Sequence, residues 1–348
     1  MIALIAFTKR GCQLGRRLAQ HLSGQLWTTD RLAEETGLPG CGSLSRWTEE
    51  RFSDCEALVF VSASGIAVRA IAPFVKDKFS DPAVVSVDEA GRFAVPLLSG
   101  HVGGANDLAR RIAAVTGGQA AVSTATDVNG LFAVDQWARE QGLTIVERSS
   151  AKQVSAALLE GQPVGLMSSF PITGTIPRGL VTMEHEGEKR PGAGIVISLT
   201  ARKQPFDVTL HLVPRVITLG VGCRRGAPYE QLEAGLLDFL EQNAIPVQAV
   251  CGLATIDLKK EEPGLLAMAA HRGWPVTCFT AEELAEEEGA FAPSAFVQQV
   301  TGVDNVCQRA AQRAGGAVFV PKTVCHGATF AAAAGSVSLT WETQEDRK

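Results

Sequence analysis

The stretch RFAVPLLSGHVGGANDLARRIAAV, residues 92–115, decides the fold. Its first seven residues, Arg92 to Leu98, read as an apolar strand, and Asn106 to Val115 repeat apolar positions at helical spacing. Between them Ser99 to Asp107 supply three glycines, at 100, 103 and 104. Glycine tolerates positive φ and close backbone approach, and a helix start presents unpaired N–H groups at the positive end of its dipole. The single imidazole of the turn, His101, would stand over that surface, so strand, glycine turn, histidine and helix start together describe an active-site loop. An ordinary turn between a strand and a helix is the competing reading.

Working outward, the same alternation recurs. Ile2 to Phe7 reads as a strand followed by a helix from Gln13 to Leu22, and Ala57 to Val61 as a strand followed by a helix from Ile66 to Phe74. VVSVDEAGRFAVPLL reads as a hairpin turning at Asp88 to Gly91. From about Arg139 to Pro214 the pattern changes: a helix (Ala151 to Leu159), a strand (Pro163 to Ser169), a Gly/Pro-rich connection, then strands at Gly194 to Leu199 and Asp207 to Val213. After Pro214 the alternation resumes with strands at Arg215 to Val221, Val247 to Val250, Leu253 to Leu258, Val276 to Phe279 and Ala317 to Val320, and helices from Pro228 and Pro263. The expected fold class is α/β: two outer three-layer-type α/β domains with mainly parallel sheets, residues 1–138 and 215–340, a small middle α/β domain, 139–214, and a frayed polar tail, 341–348.

Composition bounds the function classes. The chain has 348 residues, of which 46% are hydrophobic and 20% charged, which fits a globular protein of two or three domains. A formal charge of −5 argues against nucleic acid as a partner. No apolar run reaches the roughly 18 residues that span a bilayer, and the start MIALIAFTKRG has no basic region or cleavage site. The eight cysteines contain no C-x-x-C pair, so neither zinc nor disulfides are expected, and Cys223, Cys251, Cys278 and Cys307 recur every 27 to 29 residues, as small apolar residues near successive strands would. A reducing cytoplasm is the expected compartment.

Four loops share one kind of place, after a strand and before a helix or bend: Ser62 to Gly65, Ser99 to Asn106, Ser123 to Asp127, and GVGCRRG, Gly220 to Gly226. On one sheet edge they would form a ligand crevice. GVGCRRG has the glycines of a dinucleotide fingerprint shifted by one, but Cys251 and Gly252 stand where a ribose-binding acid is needed; Arg224 and Arg225 suit carboxylates instead. Lys259 to Glu262 read as a charged turn, and Arg69, Lys76 and Lys78 add positive charge near the second helix. His326 sits at another glycine-containing strand entry, while His21, His185, His211 and His271 read as structural.

Taken in order, SASGIAVRAIAPFVKDK, DPAVVSVDEAG, PLLSGHVGGANDLA, STATDVNGLFAVD, LGVGCRRG, ATIDLKKEEPGL, SAFVQQVTGVDNVCQRAA and VPKTVCHGATFAAAAG resemble the cobalt-precorrin 5A hydrolase family of cobalamin biosynthesis. The resemblance covers both outer domains. It implies hydrolysis of the ring-A acetate δ-lactone of a cobalt corrinoid with loss of acetaldehyde, no cofactor, and cobalt carried inside the substrate. On that reading His101 and Asp127 are the catalytic residues, with His101 as general base and the amides near Gly103 and Gly104 as oxyanion donors. The corrinoid would be held by Ser64, Gly65, Arg69, Lys76, Lys78, Ser99, Gly100, Gly103, Gly104, Asn106, Thr124, Thr126, Cys223, Arg224, Arg225, Lys259 and Glu262. Expected partners are the corrinoid and, transiently, neighbouring methyltransferases of the pathway, with neither membrane nor nucleic acid; a homodimer is left open. The rival readings are a corrinoid carrier and a nicotinamide-dependent oxidoreductase built on GVGCRRG.

Overall fold

A computed structural model describes residues 1–77, 80–101, 103–183 and 190–342. The chain divides into two compact units, Met1–Gln136 and Trp137–Lys348. Lys78 and His185 lie outside the described residues.

The first unit is one six-stranded sheet between helices. In chain order it runs β1 (Ile2–Ala6), α1 (Lys9–Leu22), β2 (Gln25–Thr28), α2 (Asp30–Thr36), α3 (Leu44–Asp54), β3 (Ala57–Val61), α4 (Ser64–Ile71), β4 (Ala83–Val87), β5 (Phe93–Leu98), α5 (Ala105–Thr116), β6 (Gln119–Ala120), α6 (Ala125–Val128) and the start of α7 (Val134–Glu140). Alternate residues of the central strands face opposite helix layers. Leu4, Val59, Val85 and Val87 pack with Leu18, Leu108 and Ile112 of α1 and α5, whereas Ile5, Leu58 and Phe60 pack with Trp47, Phe52 and Ile71 of α3 and α4. The strand order is β2-β1-β3-β4-β5-β6. Asp88 closes the hairpin as expected, its carboxylate accepting from the amides of Ala90 and Phe93 at 2.9 and 2.7 Å.

That hairpin has a topological consequence that corrects the four-loop expectation. β1 to β4 are parallel, but β5 is antiparallel to β4 and β6 is parallel to β5. The loop after β3, with Ser64 and Gly65, therefore opens at one end of the sheet, and the loops after β5 and β6 open at the other. GVGCRRG belongs to a different sheet altogether.

The second unit continues with β7 (Leu143–Ile145), α8 (Arg148–Leu159), β8 (Val164–Ser168), β9 (Ile172–Thr173), β10 (Leu180–Thr182), β11 (Ala193–Ile197) and β12 (Val208–Pro214). Five of these form the sheet β10-β8-β11-β12-β7, in which only β7 is antiparallel to its neighbour. Then follow β13 (Ile217–Gly222), α9 (Tyr229–Gln242), β14 (Val250–Ile256), α10 (Pro263–Arg272), β15 (Val276–Phe279), α11 (Ala281–Ala285), α12 (Ala295–Thr301), α13 (Cys307–Gly315), β16 (Ala317–Cys325), β17 (Ala328–Ala334) and β18 (Leu339–Thr340). Their sheet, β15-β14-β13-β17-β16, is covered by Leu232, Leu236 and Phe239 of α9 with Leu265 and Met268 of α10 on one face, and by α13 on the other.

Two local expectations are corrected, and one strand was not foreseen. Val247–Ala249 form a 3₁₀ turn, and one strand, β14, replaces the two expected around it. β17 is the Ala-rich run Ala328–Ala334, a composition that favours helix locally; it is a strand because α13 lies so close that only small side chains fit between. The tail is anchored at its start: Trp341 stacks on Trp137 at 4.5 Å, and β18 pairs with β9. Among the described residues no helix is long and apolar enough to cross a membrane.

Candidate active site

Ser99 to His101 and Gly103 with Gly104 pack tightly against one another. Ser99 and Gly104 take positive φ, +55° and +84°, while Gly100 and Gly103 are needed for closeness: a Cβ on Gly100 would lie 2.8 Å from Asn106 Oδ1, and one on Gly103 would lie 2.4 Å from Ser99 Cβ. Ser99 Oγ donates to Asp81 O at 2.9 Å, tying the loop to the segment that enters β4. The amides of Gly104, Ala105 and Asn106 donate to the carbonyls of His101, Ser99 and Gly100. This takes the Gly104 amide away from an oxyanion, because the tight turn satisfies it from its own carbonyls.

His101 is held at both ring nitrogens. Nε2 lies 2.7 Å from Asp127 Oδ2 and 3.2 Å from Thr126 Oγ1, and Nδ1 lies 3.2 Å from Asp135 Oδ1. Asp127 Oδ1 accepts from Arg110, whose other terminal nitrogen donates to Asp107 at 3.1 Å. Asn106, buried at the first turn of α5, donates to Thr124 Oγ1 at 2.7 Å and to Asp127 Oδ2 at 3.1 Å. Thus α5, α6 and the first turn of α7 meet around one imidazole, whose side chain is only 13% exposed.

The electrostatics follow from these contacts. The bond to Asp135 raises the pKa of His101 above 6.5; desolvation opposes this, and Asp127 adds to the rise. Burial pushes Asp127 up, but bonds from His101, Arg110 and Thr124 outweigh it and hold the carboxyl below 3.8. Asp107 and Asp127 share Arg110, and Asp127 and Asp135 share the His101 ring.

Of the residues expected at the site, the structure gathers His101, Asp127, Asn106, Thr124 and Thr126 with the loop Ser99, Gly100, Gly103 and Gly104. Lys76 is exposed in the connection that enters β4, and its amide donates to Asp81 Oδ2 at 2.8 Å; Arg69 is exposed on the last turn of α4. Ser64 and Gly65 stand at the opposite end of the sheet, where Ser64 Oγ bonds Ser86 Oγ at 3.3 Å. Asp135 and Arg110 were missed. Arg110 was findable, since it lies four residues after Asn106 on one helical face.

In the second unit, Arg224 and Arg225 are exposed and Cys223 is half-buried, its thiol pushed up by burial. Arg225 borders an open groove of about 480 Å³ with Asp257, Lys260 and Glu261. Glu262, 6% exposed, is corrected from substrate contact to loop support: one oxygen accepts from the Gly226 amide at 2.6 Å, the other from Lys259 Nζ at 3.2 Å. Two glycines of GVGCRRG serve packing, while Gly226 supplies a φ of +71°. A Cβ on Gly220 would lie 1.7 Å from Cys307 O, and one on Gly222 would lie 2.5 Å from Thr329 Oγ1. His326 occupies the β16–β17 turn with φ +49°.

Comparison with known proteins completes the picture. Three family descriptions match consecutive parts of the chain: cobalamin synthesis G N-terminal over residues 46–127, cobalamin biosynthesis central region over 132–214, and cobalamin synthesis G C-terminus over 217–333. A cobalt-precorrin-5A hydrolase of Salmonella typhimurium is 37% identical over 318 residues, which span 89% of this chain and 90% of that one. A protein of the same name from Priestia megaterium is 28% identical over 335 residues, spanning 90% and 89%. Protein CobE of Sinorhizobium sp is 31% identical over 129 residues, 36% of this chain and 84% of its own length. Matched in all three parts and along nearly its whole length, the chain belongs to the cobalamin synthesis G family, that of the cobalt-precorrin-5A hydrolases.

Proposed function

We infer that this protein is a cobalt-precorrin-5A hydrolase, which opens the ring-A acetate δ-lactone of a cobalt corrinoid and releases acetaldehyde. The observation that carries the reading is the match of 37% identity over nine-tenths of both chains to a relative of that name. Water adds to the lactone carbonyl and the acyl–oxygen bond breaks, leaving a carboxylate and a hydroxyl. Loss of the hydroxyl proton then lets the adjacent C–C bond break, its electron pair passing into the macrocycle and its carbon leaving as the aldehyde. No electrons are exchanged with an outside acceptor, so the reaction as written uses no cofactor. Cobalt enters within the substrate.

His101 is the proton acceptor in this reading. A carboxylate at each ring nitrogen raises its pKa, so it accepts a proton only above that raised value. Asp127, held ionised by Arg110 and Asn106, is a weak base and positions the ring instead. The test is anaerobic incubation with the cobalt lactone and trapping of the aldehyde. One acetaldehyde per corrinoid consumed is expected; binding of the corrinoid without aldehyde would leave a carrier and overturn the reading.

A further inference from the structure

A cavity of about 820 Å³ lies at the carboxyl ends of β8, β10 and β11, in the middle sheet of the second unit. Carboxyl ends of parallel strands are where open α/β sheets bind ligands, and here the chain leaves β8 for β10 on one side and returns to β11 on the other. The site is built rather than left over. Gly165 and Gly194 are register partners on β8 and β11, and a Cβ on either would strike the Phe206 ring at 2.2–2.3 Å, so that ring lies flat on the sheet. Phe206 packs with Met167, Met183 and Val196, and the last three continue into the cavity, where Trp341 adds an aromatic wall.

The polar part of the lining has one sign. Thr182 and Lys203 contribute, while the hydroxyls of Ser168 and Ser198 donate to the carbonyls of Phe170 and Thr200, and among the described residues of the lining none is acidic. The backbone at Lys203 is fixed: the fully buried ring of His211 bonds Lys203 O through Nε2 at 2.7 Å and Glu147 Oε1 through Nδ1 at 2.8 Å. An apolar floor suits the face of a planar macrocycle, and an ammonium suits its carboxylate arms.

We propose that this cavity seats the corrin macrocycle, through its apolar floor and Lys203. The proposal rests on the hydrolase reading and adds where the second unit grips the substrate. The probe is cobyrinic acid, a cobalt corrinoid with free carboxylate arms, titrated against the full chain by calorimetry. Lys203→Glu, an exposed change that leaves the core intact, should weaken binding roughly five- to tenfold. Met167→Trp, which fills the floor, should remove saturable binding while the far-UV spectrum stays native. Lys152→Glu makes the same change of charge on exposed α8 and should bind as the parent does. Unchanged affinity in both cavity variants, or equal weakening by Lys152→Glu, would overturn the proposal, and aldehyde release by the parent chain would then show the hydrolase reading still standing. A parent chain that neither binds the corrinoid nor releases aldehyde would end both.

Discussion

Two glycine turns, Ser99 to Gly104 and Gly220 to Gly226, stand in the same place in their sheets, after a strand and before a helix, yet their glycines answer different needs. In the first, Gly100 and Gly103 make room for the Asn106 and Ser99 side chains of a charged cluster. In the second, Gly220 makes room for the backbone of α13 and Gly222 for Thr329, while the loop's arginines point to solvent. A glycine pattern thus records that something comes close. It does not say whether that something is a site or a packing partner, and the titratable residues gathered nearby decide between them.

The sharpest way to break this contrast is Gly220→Ala. Its Cβ would meet a carbonyl of α13 that cannot move aside, so a loss of about 3 kcal/mol or more is expected, read as a fall in the denaturation midpoint. Gly65→Ala, in α4 with nothing within 4 Å, should instead be neutral or slightly stabilising. If both variants melt alike, the packing account of GVGCRRG is wrong.

His101→Ala should slow aldehyde release by about 10² or more, since general-base catalysis contributes on that scale. Near-parental turnover would remove the ring from the chemistry. Asp135→Asn sharpens the assignment, because the bond to Asp135 is the largest cause of the raised pKa. A base works when deprotonated, so parental activity should rise with pH through a value above 6.5, and in the variant that rise should move downward. An unmoved profile would detach Asp135 from the ring.

Stability carries the same signature. The raised folded pKa of His101 means its contribution is fully present below 6.5 and lost as pH rises through the folded value; that of Asp127 is present above 3.8 and lost as pH falls through its lowered value. The stability difference between the parent and His101→Ala should therefore be largest at mildly acid pH and shrink toward alkaline pH, measured by denaturant titration at a series of pH values. The smallest effect is expected at the other turn: Arg224→Ala with Arg225→Ala should weaken corrinoid binding only a few-fold, because exposed charges are well screened. A complete loss of binding would make GVGCRRG the main grip and reverse the contrast.

Much of this was legible beforehand. Alternating apolar strands and amphipathic helices marked the α/β class, and the Asp88 hairpin was readable from its turn chemistry. The local pattern also singled out His101 with its glycines, and Thr124, Thr126 and Asp127 by their place after a strand. The Ala-rich β17 was not legible, since its strand state comes from the closeness of α13 and runs against local propensity.

The sequence by itself determined most element types, the family and the imidazole, because periodicity and short motifs depend on neighbours along the chain. Only the tertiary structure decided that β4 lies parallel to β3, which with the hairpin to β5 sends Ser64 and Gly65 to the far end of the sheet from His101. It alone brought Asp135 to the ring and Arg110 to Asp127, and tied the Gly104 amide to the His101 carbonyl. Strand direction and ion pairing between distant residues are settled by the packing of whole layers, and no local window contains them.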